Sequence, residues 1–89
     1  MSASKSIMVV VVANRSQSAL EVQKLLTEAS ATIKTRLGLH EGMGPNNNDS
    51  GLIILELVGD KNSSQKLAAK LQGLSGVNAK LVEVDEPSA

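Results

Sequence analysis

His40 is the single histidine of an 89-residue chain that has no cysteine. Imidazole and carboxylates together suit first-row transition metals. A metal at His40 would need Glu41 or Asp49, and further copies of the chain brought together by symmetry, because one histidine holds a metal poorly. The plainer account is a solvated strand end beside Arg36 and Glu41. A second group is Asn14, Arg15, Ser16 and Ser18, just where a strand gives way to a helix. Free N–H groups, the helix dipole and a guanidinium would there suit a carboxylate or phosphate. The same residues also make an ordinary helix cap, and the glycine-rich loop that wraps a phosphate is missing. Nothing resembles a nucleophile with its base: there is no Ser-His-Asp motif and no histidine pair, and Glu56 and Asp60 have no identifiable partner. The sequence is therefore read as that of a non-enzyme with no required cofactor.

Composition narrows the field further. Nine basic and nine acidic side chains cancel, and they are scattered, so no long-range field recruits nucleic acid or an anionic membrane. The absence of cysteine removes disulfides, thiolate chemistry and iron–sulfur ligation. Phe, Tyr and Trp are all absent, which leaves no stacking platform for single-stranded nucleic acid. The longest wholly apolar run spans seven residues, 7–13, far short of the ~20 that cross a bilayer. A cytoplasmic location is the default expectation.

The elements that would position these residues can be read in order. Residues 7–13 (IMVVVVA) are apolar at both parities, as in a strand buried on both faces. Ser18 with Glu21 has capping-box spacing, and Val22, Leu25, Leu26, Ala29 and Ile33 form a helical stripe. From Ile33 the period changes to two: Ile33, Thr35, Leu37 and Leu39 alternate with Lys34, Arg36, Gly38 and His40, which predicts a half-exposed edge strand. Residues 42–51 hold Gly, Pro and three consecutive Asn, and read as a mobile connection. Residues 52–58 (LIILELV) are again apolar at both parities, interrupted by Glu56. Asn62 with Gln65 offers a second capping box ahead of the stripe Leu67, Ala68, Leu71 and Leu74, and Gly73 and Gly76 stop that helix. Residues 77–84 alternate as a last strand. Residues 1–6 and 85–89 are read as disordered ends around one domain, 7–84.

Strand–helix–strand appears twice, so the expected fold is a ferredoxin-like βαββαβ α+β sandwich: a four-stranded antiparallel sheet with two helices on one face. Right-handed crossovers place the first and third strands centrally. Those are the two with doubly apolar patterns, so both send apolar side chains to the face without helices. Leaving even ~400 Å² of it bare would forfeit about 10 kcal/mol at ~25 cal/mol per Å², comparable to the whole stability of a small domain. A homo-oligomer is expected, with Met8, Val10, Val12, Ile54 and Val58 at the interface.

Three stretches, VVVVANRS leading into VQKLLTEAS, then IKTRLGLHEG, then GLIILELVGD followed by LAAKLQGLSGVNAKLV, together resemble a family of small regulators of the iron-only hydrogenase system. The resemblance covers nearly all of the chain. Members are related in fold to ACT domains and to the C-terminal ligand-binding domain of the nickel-responsive repressor. The resemblance implies an oligomeric regulatory or sensing domain, a dimer or tetramer. It also implies a ligand near the first strand–helix loop at a subunit boundary, which converges on Asn14, Arg15, Ser16 and Ser18. The nickel site of the repressor needs several histidines and a cysteine, so with His40 alone it is not carried over. No DNA-binding segment precedes Ile7, so direct nucleic-acid binding is not expected. Two alternatives stay open: a structural assembly module without ligand, and a metal sensor using His40.

Overall fold

The computed structural model describes residues 4–13, 18–39 and 51–87. Its elements run β1 (Ser4–Val12), α1 (Ala19–Glu28), β2 (Ile33–Leu39), β3 (Gly51–Leu57), α2 (Lys61–Gln72) and β4 (Val77–Asp85). The sheet is antiparallel with order β2-β3-β1-β4. The ferredoxin-like arrangement expected from the sequence is thus present, with the two doubly apolar strands at the centre.

Strand β1 starts three residues earlier than its apolar run, because Lys5 and Ser6 pair with Val84 and Glu83 of β4. Ladder hydrogen bonds extend a strand into polar sequence wherever a neighbour is long enough to receive them. The expected disordered ends are shortened accordingly: Ser4 belongs to β1 and Asp85 to β4.

Alternation assigns the two faces. Met8 pairs with Leu55 and Leu81, and Val10 with Ile53 and Ala79. Met8, Val10 and Leu55 are fully buried in one cluster with Val22 and Leu26 of α1 and Leu67 and Leu71 of α2. Both helices therefore lie on this face, and all of the buried apolar residues serve one core. The stripes of α1 and α2 meet it as their spacing predicts, with Leu25, Ala29, Ala68 and Leu74 at its margin. Leucine, valine and methionine fill a core from which every aromatic side chain is missing.

The helix caps depart from expectation. Helix α1 has Ser18 at its N-cap, where the backbone is in the helical region and the side chain makes no capping hydrogen bond; the carbonyl of Ser18 accepts from the Val22 N–H at 2.9 Å. Helix α2 is capped by Asp60 rather than Asn62. The extended backbone of Asp60 lets its carboxylate accept from the Ser63 N–H at 2.8 Å. That bond, seconded by the Ser63 hydroxyl and by Lys66, holds the Asp60 carboxyl below its ordinary pKa. Gly59 before it and Gly76 before β4 both have positive φ, 94° and 74°, a region that costs other residues steric strain.

Strand β2 carries a bulge. Ile33 stands opposite Leu57 and Thr35 opposite Glu56, so Lys34 is an extra residue. The insertion reverses the parity. Ile33 packs against the core, whereas Thr35 and Leu37 share the face without helices. Arg36 comes to the helix side, where its guanidinium donates to the Gln23 side-chain carbonyl of α1.

Candidate functional site

The helix-free side of the sheet carries an apolar surface that no element among the described residues covers. Its rows follow from the register. Leu37, Ile54, Val9 and Lys80 form one row; Thr35, Glu56, Ile7 and Val82 form the next; and Leu52, Val11 and Asn78 flank the first row on its other side. Leu37 is 50% exposed, Val84 52%, Val58 41% and Val11 38%, while Ile7, Val9, Leu52, Ile54 and Val82 are half-buried by their neighbours in the sheet. Valine and isoleucine confer strand propensity at these positions. That requirement does not explain why both faces should be apolar.

The interface expected from the sequence is corrected here in three of its five residues. Met8 and Val10 are 0% exposed, and Val12 packs beside them against the same core, so no partner can reach the first two. Their neighbours Ile7, Val9 and Val11 lie on the helix-free face instead. Ile54 and Val58 do lie on the exposed side. A doubly apolar strand has two equivalent parities, and only the pairing of Met8 with Leu55 beneath the helices distinguishes them.

Within this apolar field sits one carboxylate. Glu56 of the central strand β3 accepts a hydrogen bond from the Thr35 hydroxyl at 3.1 Å and lies 3.9 Å from the ammonium groups of both Lys5 and Lys34. The bulge brings Lys34 within reach. With exposed partners such pairs contribute about 0–1 kcal/mol each, so they orient the carboxylate more than they stabilise the fold. Glu56 looked partnerless in the sequence because its partners come from two other strands. The one signal was that it alone interrupts an apolar run.

Of the candidates at the β1–α1 connection, Asn14, Arg15 and Ser16 lie outside the described residues, and so do His40, Glu41 and Asp49. Ser18 is buried at the start of α1. Among the described residues no cluster of three or more His, Asp or Glu side chains stands ready for a metal. The groove between α1 and α2 is floored by Leu25, Ala29 and Leu67 and rimmed by Glu28, Lys66 and Lys70. Its charges are exposed and of both signs, so it selects no ligand. No helix among the described residues is long and apolar enough to cross a membrane.

No protein-family model matches the sequence, and no curated protein is significantly similar to it. Solved structures do match. An uncharacterized protein of Thermotoga maritima is 28% identical, with 92% of this chain and 99% of that chain covered at a TM-score of 0.77. The ACT domain of the GTP pyrophosphokinase of Chlorobium tepidum is 12% identical, with 92% and 100% covered at 0.62. A PII-like protein of Thiomonas intermedia K12, solved with ADP, AMP and acetate, is 11% identical, with 99% and 93% covered at 0.61. The last two likenesses establish an ACT-like and PII-like fold across essentially the whole chain.

Proposed function

We propose that this chain is a small, non-catalytic regulatory domain that works as a homo-oligomer and binds a small effector where subunits meet, beside the β1–α1 connection. The observation that carries the reading is the helix-free sheet face. It is apolar in two central strands and bare in a single chain, within a fold shared end to end with an ACT domain and a PII-like protein. Bare apolar surface of this extent is costly in a small domain, and covering it with another subunit links folding to association. A binding site at such a boundary would make association respond to a ligand, which is what a regulatory domain without catalytic residues requires.

The PII-like protein was solved with adenine nucleotides and acetate, so nucleotides and small carboxylates head the classes to be tried. Arg15, with Asn14, Ser16 and Ser18, is the proposed anchor for the anionic group. The resemblance in sequence directs the search for the regulated process to the iron-only hydrogenase system.

The test is a thermal-shift screen of amino acids, adenine nucleotides, inorganic phosphate and the divalent ions of nickel, iron and zinc, with a solution mass for every positive. A true effector gives a saturable shift, worth about 2.7 kcal/mol at a hundredfold excess over Kd, and Arg15→Ala abolishes it. A metal shift lost in His40→Ala would instead support the metal-sensor alternative. Stability and mass indifferent to every class would refute the regulatory reading and leave an assembly module.

A further inference from the structure

We infer that the helix-free face docks an amphipathic helix of a partner protein, apolar along one stripe and acidic on both flanks, which displaces the covering subunit. The inference rests on the regulatory reading above and names the chemistry of the partner through which such a domain acts.

The face has a charge that the whole chain lacks. Nine basic and nine acidic side chains balance over the sequence. Among the described residues, however, Lys5, Lys34 and Lys80 reach this face against the single carboxylate of Glu56, an excess of two positive charges. The acidic residues of β4 point the other way. Glu83 and Asp85 share the parity of Ala79 and Leu81, which pack on the core, and Glu83 meets Lys61 of α2 at 3.2 Å. Lys80 is exposed and joins no ion pair among the described residues. Lys5 and Lys34 share Glu56 at 3.9 Å, beyond hydrogen-bonding distance, so their ammonium donors stay available to a partner.

The register arranges these charges around an apolar stripe. Leu37, Ile54, Val9, Ile7 and Val82 follow one another across β2, β3, β1 and β4. With strands ~4.8 Å apart and ~3.3 Å per residue, the stripe is about 16 Å long, with Lys5 and Lys34 roughly 7–8 Å to one side and Lys80 roughly 6 Å to the other. About 11 residues of α-helix span that length, and a helix ~10 Å wide carries its flanking residues over the lysines.

A helix suits this face better than an extended segment. The backbone groups of the sheet are engaged in its own ladder, so a strand laid flat on it would leave its N–H and C=O groups unpaired, whereas a helix satisfies its own. Leucines at i, i+3, i+4 and i+7 fill the stripe, and Asp or Glu on either side of them meets the lysines. A second copy of this chain meets the face with net charge of the same sign, which keeps self-association weak and lets an acidic partner compete for the same residues.

The probe is a peptide of ~14 residues with leucines at that spacing and glutamates on both flanks, beside a counterpart with lysines for the glutamates. A tryptophan in the peptide reports binding alone, because the chain has no aromatic residue. The acidic peptide is expected to bind the full chain saturably, at least ~10-fold more tightly than the basic one, and more weakly as salt rises. Lys80→Glu should weaken the acidic peptide and strengthen the basic one. Val9→Glu, which puts a carboxylate in the middle of the stripe, should abolish binding while the far-UV spectrum keeps its shape. Leu37→Glu, at the half-exposed end of the stripe, gives the same reading should Val9→Glu fail to fold.

Equal binding of the two peptides, no saturable binding, or binding indifferent to the stripe variants would overturn the inference. So would phosphatidylglycerol vesicles that bind the chain through the same lysines while the acidic peptide does not, since the occupant is then a membrane surface. Sedimentation equilibrium without peptide reads self-association by itself. A chain that self-associates and ignores the peptide refutes this inference alone, and one that binds the peptide yet stays monomeric at every concentration refutes the homo-oligomer alone.

Discussion

Leu55 and Ile54 are adjacent in β3, nearly identical in chemistry, and face opposite sides of the sheet, so truncating each to alanine interrogates the two faces separately. Leu55 is 0% exposed and touches the core shared by both helices. Leu55→Ala leaves a cavity that its well-packed neighbours only partly fill, at a cost of ~3 kcal/mol within a usual span of about 2–5. In a domain of this length each kcal/mol moves Tm by about 4–8 °C, so Tm should fall by roughly 12–24 °C. Ile54 is half-buried among Val9 and Leu37 on the helix-free face. In an isolated chain Ile54→Ala removes contacts with its sheet neighbours but leaves no enclosed cavity, so it should cost about 1 kcal/mol, clearly less than Leu55→Ala.

Urea denaturation at two protein concentrations, below and above the midpoint of self-association, is the assay. Leu55→Ala must lower the midpoint equally at both. Ile54→Ala must act mainly at the higher concentration, where the proposed homo-oligomer covers that face. A larger loss for Ile54→Ala at the lower concentration would show that the faces are assigned the wrong way round, and the reasoning about assembly would fall with them.

Asp60 should make the start of α2 sensitive to acid. Its folded pKa lies below the ordinary value of 3.8, so its stabilisation is present above that value and lost as pH falls through the depressed one. Thermal melts between about pH 2 and about pH 7 should show that loss in the wild type, a flatter profile in Asp60→Asn, which keeps the cap, and a lower Tm at neutral pH in Asp60→Ala. Gly59→Ala should destabilise by about 1–2 kcal/mol in chemical denaturation, because φ is 94° and no neighbour lies within 4 Å to share the effect. Gly38→Ala, equally uncrowded but without positive φ, should be neutral or mildly stabilising. The Gln72 side chain accepts from the Ala79 N–H of edge strand β4 at 2.8 Å. Gln72→Ala should cost about 0.5–1.5 kcal/mol and accelerate hydrogen exchange at Ala79.

Much of the architecture was legible because its signals are local. Two doubly apolar strands, two helical stripes and the glycine stops of α2 specify the order of elements, and handedness then permits few topologies. The caps were less legible: Ser18 and Asn62 have the right spacing for capping boxes, yet backbone conformation decides which side chain can reach an N–H. At Asp60 the backbone is extended and the carboxylate reaches, while at Ser18 it is already helical. The bulge at Lys34 left no mark in a period-two pattern, and it reversed the side on which Leu37 and Arg36 stand.

The amino-acid sequence by itself determined that this chain has one core and an apolar surplus, since valine, isoleucine and leucine occupy both parities of β1 and β3. Only the tertiary structure decided which parity the helices cover. A strand that is apolar in both directions carries no local preference between its faces, and the choice is made by where α1 and α2 pack and by the register that sets Met8 beside Leu55. That same register places Glu56 next to Lys5 and Lys34 and leaves Lys80 apart from it, relations between residues far apart in the chain that no local pattern can encode.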